Sequence, residues 1–184
     1  MPLTDDEKHT LRALARASIE DGLRTGRPKL PALDGLGDTL RAPGASFVTL
    51  TRDGDLRGCI GRLEAARPLA LDVADNAFSA AFRDPRFPPL GADEWRACAL
   101  KLSVLAPATP ISFTDERDLI AQLVPGEDGL ILDARGRRGT FLPAVWEQLG
   151  HPRDFVAHLK RKIGWPADHW PADVAAWRYR VEEF

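Results

Sequence analysis

Leu11, Leu14, Ala15, Ser18, Ile19 and Leu23 recur at the spacing of one helix face. Ahead of them Thr4-Asp5-Asp6-Glu7 forms a capping box, a hydroxyl N-cap followed three residues later by glutamate, and Gly22 to Gly26 supplies a stop. The pattern predicts a first helix between those signals. Pro28 to Gly44 is rich in proline and glycine, has weak periodicity, and reads as a long irregular connection. Ser46 to Thr51 is dense in β-formers, Asp53-Gly54 is a turn, and Leu56 to Leu63 follows, so a β-hairpin is expected. On strict alternation Leu56 and Ile60 of its second arm face a core, and Arg57 and Cys59 share the opposite face.

A helix is expected from Pro68 along the apolar stripe Leu69, Val73, Ala77, Ala80 and Ala81, ending at Asp84-Pro85, because a residue before proline disfavours helical geometry. Pro85 to Gly91 reads as a rigid loop. Cys98, Leu100, Leu102 and Val104 form the apolar face of a strand. Beyond it the pattern predicts a short helix over 115–124, then a hairpin with arms 129–133 and 139–142. Its turn holds Arg135, Gly136, Arg137 and Arg138. Two proline-initiated helices, 143–150 and 152–164, follow, with His151 as cap of the second. One closing strand over 176–184 completes the series. Hairpins and helices without a strict βαβ rhythm imply an α+β fold, a largely antiparallel sheet with flanking helices.

Composition narrows the classes. The chain has 184 residues, long enough for one domain with a substantial core. A net charge of −2, from 25 basic and 27 acidic residues, offers no field to recruit nucleic acid or an anionic membrane. The longest apolar runs fall short of a membrane span, and the polar, acidic start resembles neither a signal nor a transit peptide. Two cysteines, 59 and 98, make no disulfide framework and no CxxC pair. The expected setting is a reducing, cytoplasmic one.

Candidate chemistry centres on Leu56-Arg57-Gly58-Cys59-Ile60-Gly61. A guanidinium beside a thiol lowers a cysteine pKa, and Gly58 and Gly61 let a ligand or a second segment approach the main chain. The alternative is a small buried residue in a tight structural hairpin. Asp84-Pro85-Arg86-Phe87 adds a carboxylate and a guanidinium on a proline-stiffened loop, with Glu94 soon after, where a loop staple is the simpler role. The histidines, His9, His151, His158 and His169, lack metal-ligand spacing, so no metal is expected. No phosphate or dinucleotide loop is present. The Arg135, Arg137 and Arg138 cluster reads as a solvated hairpin tip, and Lys160, Arg161 and Lys162 as complements to a helix dipole. Trp165, Trp170 and Trp177 read as core residues.

The hexapeptide resembles the hallmark of the AMMECR domain family, whose prokaryotic members are called AmmeMemoRadiSam system protein A. Ala80 to Leu90 (AAFRDPRFPPL) is similar to a second signature of that family. Ser103-Val104-Leu105, Gly126 to Leu130, Phe141-Leu142-Pro143 and Phe155 to Gly164 match in order and spacing. The chain departs at Ala144, where the family commonly has glutamine, and at Lys160, where it often has cysteine. The resemblance implies one AMMECR-like domain over 1–184, with a larger and a smaller lobe around a cleft near the hexapeptide. It also implies a pathway shared with Memo-like and radical S-adenosylmethionine proteins, and no settled reaction or cofactor.

Two functions are therefore carried forward. In the first, an enzyme or enzyme subunit acts on a small molecule, with Cys59 as nucleophile, Asp84 or His158 as acid, base or orienter, and Arg57, Gly58, Gly61 and Arg86 as the binding set. In the second, a non-catalytic binding or adaptor module uses the hexapeptide as a structural hairpin.

Overall fold

In the computed structural model, which describes residues 2–166 and 168–184, the chain divides into two compact units, 1–106 with 182–184, and 107–181. The first opens with α1 (Asp5–Thr25), whose capping box forms as the sequence predicts and whose C-cap is the left-handed Gly26. The expected irregular stretch is shorter than the sequence suggests. It holds a one-turn helix, α2 (Asp38–Arg41), and β1 already begins at Pro43. β1 (Pro43–Arg52) and β2 (Asp55–Gly61) form the hairpin, turning at Asp53 and Gly54, both with positive φ. The primed turn this makes matches the right-handed twist of the strands. A two-residue β3 (Arg67–Pro68) leads into α3 (Leu69–Phe82), followed by α4 (Ala92–Trp95) and β4 (Cys98–Leu105).

The first unit's sheet runs β2-β1-β4-β9, with β3 beside the end of β1; β9 is Val181–Glu183. β1 pairs antiparallel with both β2 and β4. Val48, Leu50 and Leu102 on one face are fully buried with Leu11, Ala15 and Ile19 of α1 and Val73 and Ala77 of α3. Cys98 packs against that core from the apolar face of β4, as expected. Phe47, Thr49, Cys59 and Lys101 alternate onto the face away from the helices.

The second unit contains β5 (Thr109–Ile111), α5 (Glu116–Ala121), β6 (Gly129–Ala134), β7 (Arg137–Phe141), a 3₁₀ turn over Pro143–Glu147, α6 (Pro152–Lys162) and β8 (Ala175–Tyr179). Its antiparallel sheet runs β5-β8-β6-β7. Its own core gathers Leu119, Leu130, Leu132, Trp146, Phe155, Leu159 and Trp165, with Trp146 stacked on Phe155 at 3.8 Å between ring centroids. The molecule is thus α+β with antiparallel sheets and flanking helices.

Several expectations change. The single closing strand is two: β8 belongs to the second unit's sheet and β9 to the first, divided at Arg180. The turn of the second hairpin is only Arg135-Gly136, both at positive φ, so Arg137 and Arg138 lie in β7. Lys160 is not a solvated dipole partner. It is fully buried, ion-paired to Glu116 at 2.9 Å and 5.6 Å from the Trp170 ring centroid. His151 does cap α6, its Nδ1 accepting from the Arg153 amide at 3.3 Å.

Candidate functional site

A β-bulge decides the geometry of the hexapeptide. The β1–β2 register shifts between Leu50 and Thr51, so Gly58 pairs with Leu50, Leu56 with Thr51, and Arg57 is the extra residue. A bulge leaves two residues opposite one and breaks the period-two alternation. Two expectations fail for this reason. Leu56 does not enter a core and is 43% exposed, whereas Arg57 is only 8% exposed. The Arg57 guanidinium is gripped by Glu94, through Nε to Oε1 at 2.9 Å and Nη2 to Oε2 at 3.0 Å, and Nη2 also donates to the Pro88 carbonyl at 3.0 Å. This bidentate fork raises the Arg57 pKa and holds the Glu94 carboxyl down at about 2, with the Gly91 amide assisting at Glu94.

Cys59 lies beyond the bulge. Its Sγ is 3.3 Å from Thr49 Oγ1, directly across the pair of strands. The cation that touches Cys59 is Arg86, through the main-chain carbonyl, while Arg57 is held by Glu94. The Cys59 main chain is held from the side that β1 leaves free. Its N–H donates to Asp84 Oδ2 at 2.8 Å, and its carbonyl accepts from Arg86 Nη2 at 3.2 Å. Asp84 and Arg86 also bind each other through two side-chain hydrogen bonds, at 2.9 and 2.7 Å, and the Arg86 amide donates to Asp84 Oδ1 at 3.1 Å. Arg86, then the Cys59 and Arg86 amides, keep the buried Asp84 carboxyl well below the usual carboxylate range. Cys98, on the other face, has its thiol pKa pushed up by burial.

The two glycines serve close approach. A Cβ on Gly58 would lie 2.1 Å from the Ala80 carbonyl oxygen, so only glycine lets β2 meet the backbone of α3. A Cβ on Gly61 would strike the Phe47 ring at 2.3 Å. Behind that end of the strand a buried polar cluster pins β1 to α3. Asp72 Oδ2 accepts from the Ser46 amide at 2.9 Å, Ser46 Oγ at 2.7 Å and Asn76 Nδ2 at 2.8 Å, while Oδ1 accepts from Arg67 Nε at 3.1 Å. The sequence reading passed over these residues. Their signal is an aspartate and an asparagine spaced i, i+4 among the otherwise apolar buried positions of α3.

The first unit therefore brings together Cys59, Arg57, Gly58, Gly61, Asp84 and Arg86, and adds Thr49 and Glu94. His158 is exposed on α6 of the second unit. Among the described residues no three His, Cys, Asp or Glu side chains are placed to hold a metal ion, and no helix is long and apolar enough to cross a membrane.

This braced hexapeptide, an antiparallel sheet under two helices and a second α+β unit define the class of protein. The chain belongs to the AMMECR1 family, whose model matches residues 12–184. A protein of Methanothermobacter thermautotrophicus is 36% identical over 185 residues, covering 100% of this chain and 96% of the relative. One of Thermotoga maritima is 36% identical over 168 residues, covering 90% and 91%. The crystal structure of uncharacterized protein PH0010 from Pyrococcus horikoshii superposes with a TM-score of 0.81 at 31% identity, covering 98% of this chain and 92% of that one.

Proposed function

We propose that the chain is a non-catalytic binding module in which the hexapeptide is a rigid structural hairpin. Its partners in this reading are the Memo-like and radical S-adenosylmethionine proteins that the family association suggests, and its setting is the cytoplasm. The observation that carries the reading is the commitment of Arg57, Asp84 and Arg86, the charged groups at the hexapeptide that could serve the thiol, to structure. Arg57 is bound by Glu94, and Asp84 and Arg86 are bound to each other and to the Cys59 main chain. A nucleophilic thiol needs a base to take its proton or a free cation to stabilise thiolate. The nearest side-chain partner of Sγ is the Thr49 hydroxyl, a poor base. His9, the histidine of the first unit, is exposed on α1. What this arrangement offers a partner is the sheet face turned away from α1 and α3, carrying Phe47, Thr49, Cys59 and Lys101.

One observation favours the enzymatic reading, with Cys59 as nucleophile on a small molecule: the thiol is only half-buried. The two readings separate in one experiment. Wild type, Cys59→Ser and Arg57→Ala are compared by calorimetry against the purified Memo-like and radical S-adenosylmethionine proteins of the same organism. The binding-module reading expects Cys59→Ser, which keeps the size of the side chain on that face, to bind as wild type does, and Arg57→Ala, which loosens β2, to bind more weakly. A turnover by the mixture that disappears in Cys59→Ser overturns it.

A further inference from the structure

β2 is an edge strand of the first unit's sheet. Cys59 stands opposite Thr49, and its N–H and carbonyl are both taken by side chains on the side away from β1. One side chain accepts from the N–H and the other donates to the carbonyl. This is the pattern of exchange that a residue on a neighbouring antiparallel strand supplies with its own main chain. The Asp84–Arg86 pair therefore occupies the position of a further strand. An uncovered edge is a template for pairing with another chain, and proteins blunt such edges with charge.

We propose that Asp84 and Arg86 act as a strand surrogate that keeps the β2 edge closed, and that withdrawing them opens an antiparallel docking edge, centred on Cys59, for β2 of a second copy of this chain. Two features make the second copy the fitting occupant. Pairing centred on one residue is self-complementary, as a two-fold interface requires. Leu56, the second residue of this strand, and Leu63, two residues beyond its end, are large apolar side chains left 43% and 46% exposed. Antiparallel pairing about Cys59 sets Leu56 of one copy opposite Arg62 of the other and beside its Leu63, which lowers the exposure of both leucines. Arg86 is the solvent-facing half of the latch, with its side chain 52% exposed against 2% for Asp84. It is the half that can swing away without unpacking the core.

The test is made in a Cys98→Ser background, which leaves Cys59 as the one thiol. Centred pairing puts the two Cys59 Cα atoms about 5.5 Å apart, within the span of a disulfide. Asp84→Ala/Arg86→Ala and Arg86→Ala alone are compared with the parent by light scattering and by diamide oxidation, with circular dichroism confirming the fold. The expected result is a parent that stays at 20.2 kDa without cross-linking. The double variant is expected to double its mass and form a Cys59–Cys59 disulfide, and Arg86→Ala to do so in part. A folded variant that stays monomeric and uncross-linked overturns the proposal, as does a parent that cross-links equally well. Should the double variant fail to fold, Arg86→Ala decides the matter by the same two readouts.

Discussion

Glu94 does more for the hexapeptide than its place in the sequence suggests. It holds Arg57 at two points and receives the Gly91 amide at 3.1 Å, so one carboxylate ties β2 to the loop that follows α3. Its pKa in the fold, about 2, lies below the ordinary value of 4.5. A carboxylate whose folded pKa is depressed adds stability that is complete above the unfolded value and disappears as pH falls through the folded one. The Glu94 contribution is therefore full above pH 4.5 and is lost on the way down to about pH 2. Thermal melts of wild type and Glu94→Gln should show the widest gap from pH 5 to 7 and a narrowing gap toward pH 2. Asp84 titrates in both proteins and cancels in the comparison. Parallel curves would remove Glu94 as the group responsible.

Among the elements, the meeting of β2 with α3 sets the position of everything else at the site. The strand lies so close to the helix that Gly58 leaves no room for a methyl group, and the Ala80 carbonyl it would meet is main chain, which cannot rotate aside. Gly58→Ala is expected to destabilise by roughly 1–3 kcal/mol through overpacking. In a chain of this length that corresponds to a melting temperature lower by roughly 3–10 °C. A variant that melts with wild type would show that β2 can move away from α3 at no cost. The bulge belongs to the same scale. It rotates Arg57 into reach of Glu94 while leaving Cys59 beside Thr49, and so separates the guanidinium from the thiol that strict alternation would have joined.

At the scale of the molecule, the chain leaves the first unit after Ala106, builds the second, and returns at Glu182. The return is anchored by more than β9. Glu182 accepts from the Leu3 amide at 3.0 Å and pairs with Lys8 at 2.7 Å, and the Phe184 ring lies under the Arg12 guanidinium at 5.2 Å. Leu102 and Phe184 exchange both main-chain hydrogen bonds, at 2.8 and 3.0 Å. Removing residues 182–184 is expected to lower the stability of the first unit and to speed hydrogen exchange at the Leu102 amide, whose acceptor is lost. Unchanged protection at Leu102 would mean that β4 does not depend on the returning strand.

Sequence alone determined what is local. Helical and alternating periodicities located α1, the β1–β2 hairpin, α3 and β4. The Thr4 capping box, the Asp53-Gly54 turn, the Asp84–Pro85 stop and the His151 cap follow from chemistry within a few residues. The hexapeptide and the Asp84–Arg86 loop were legible as a candidate site for the same reason, an unusual run of residue types. Tertiary structure decided what those residues do. The bulge depends on pairing with β1, the burial of Lys160 on α5 and Glu116, and the division of the last segment into β8 and β9 on two separate sheets. Each is a contact between residues distant in the chain, and periodicity within one segment carries no record of which partner will lie across from it.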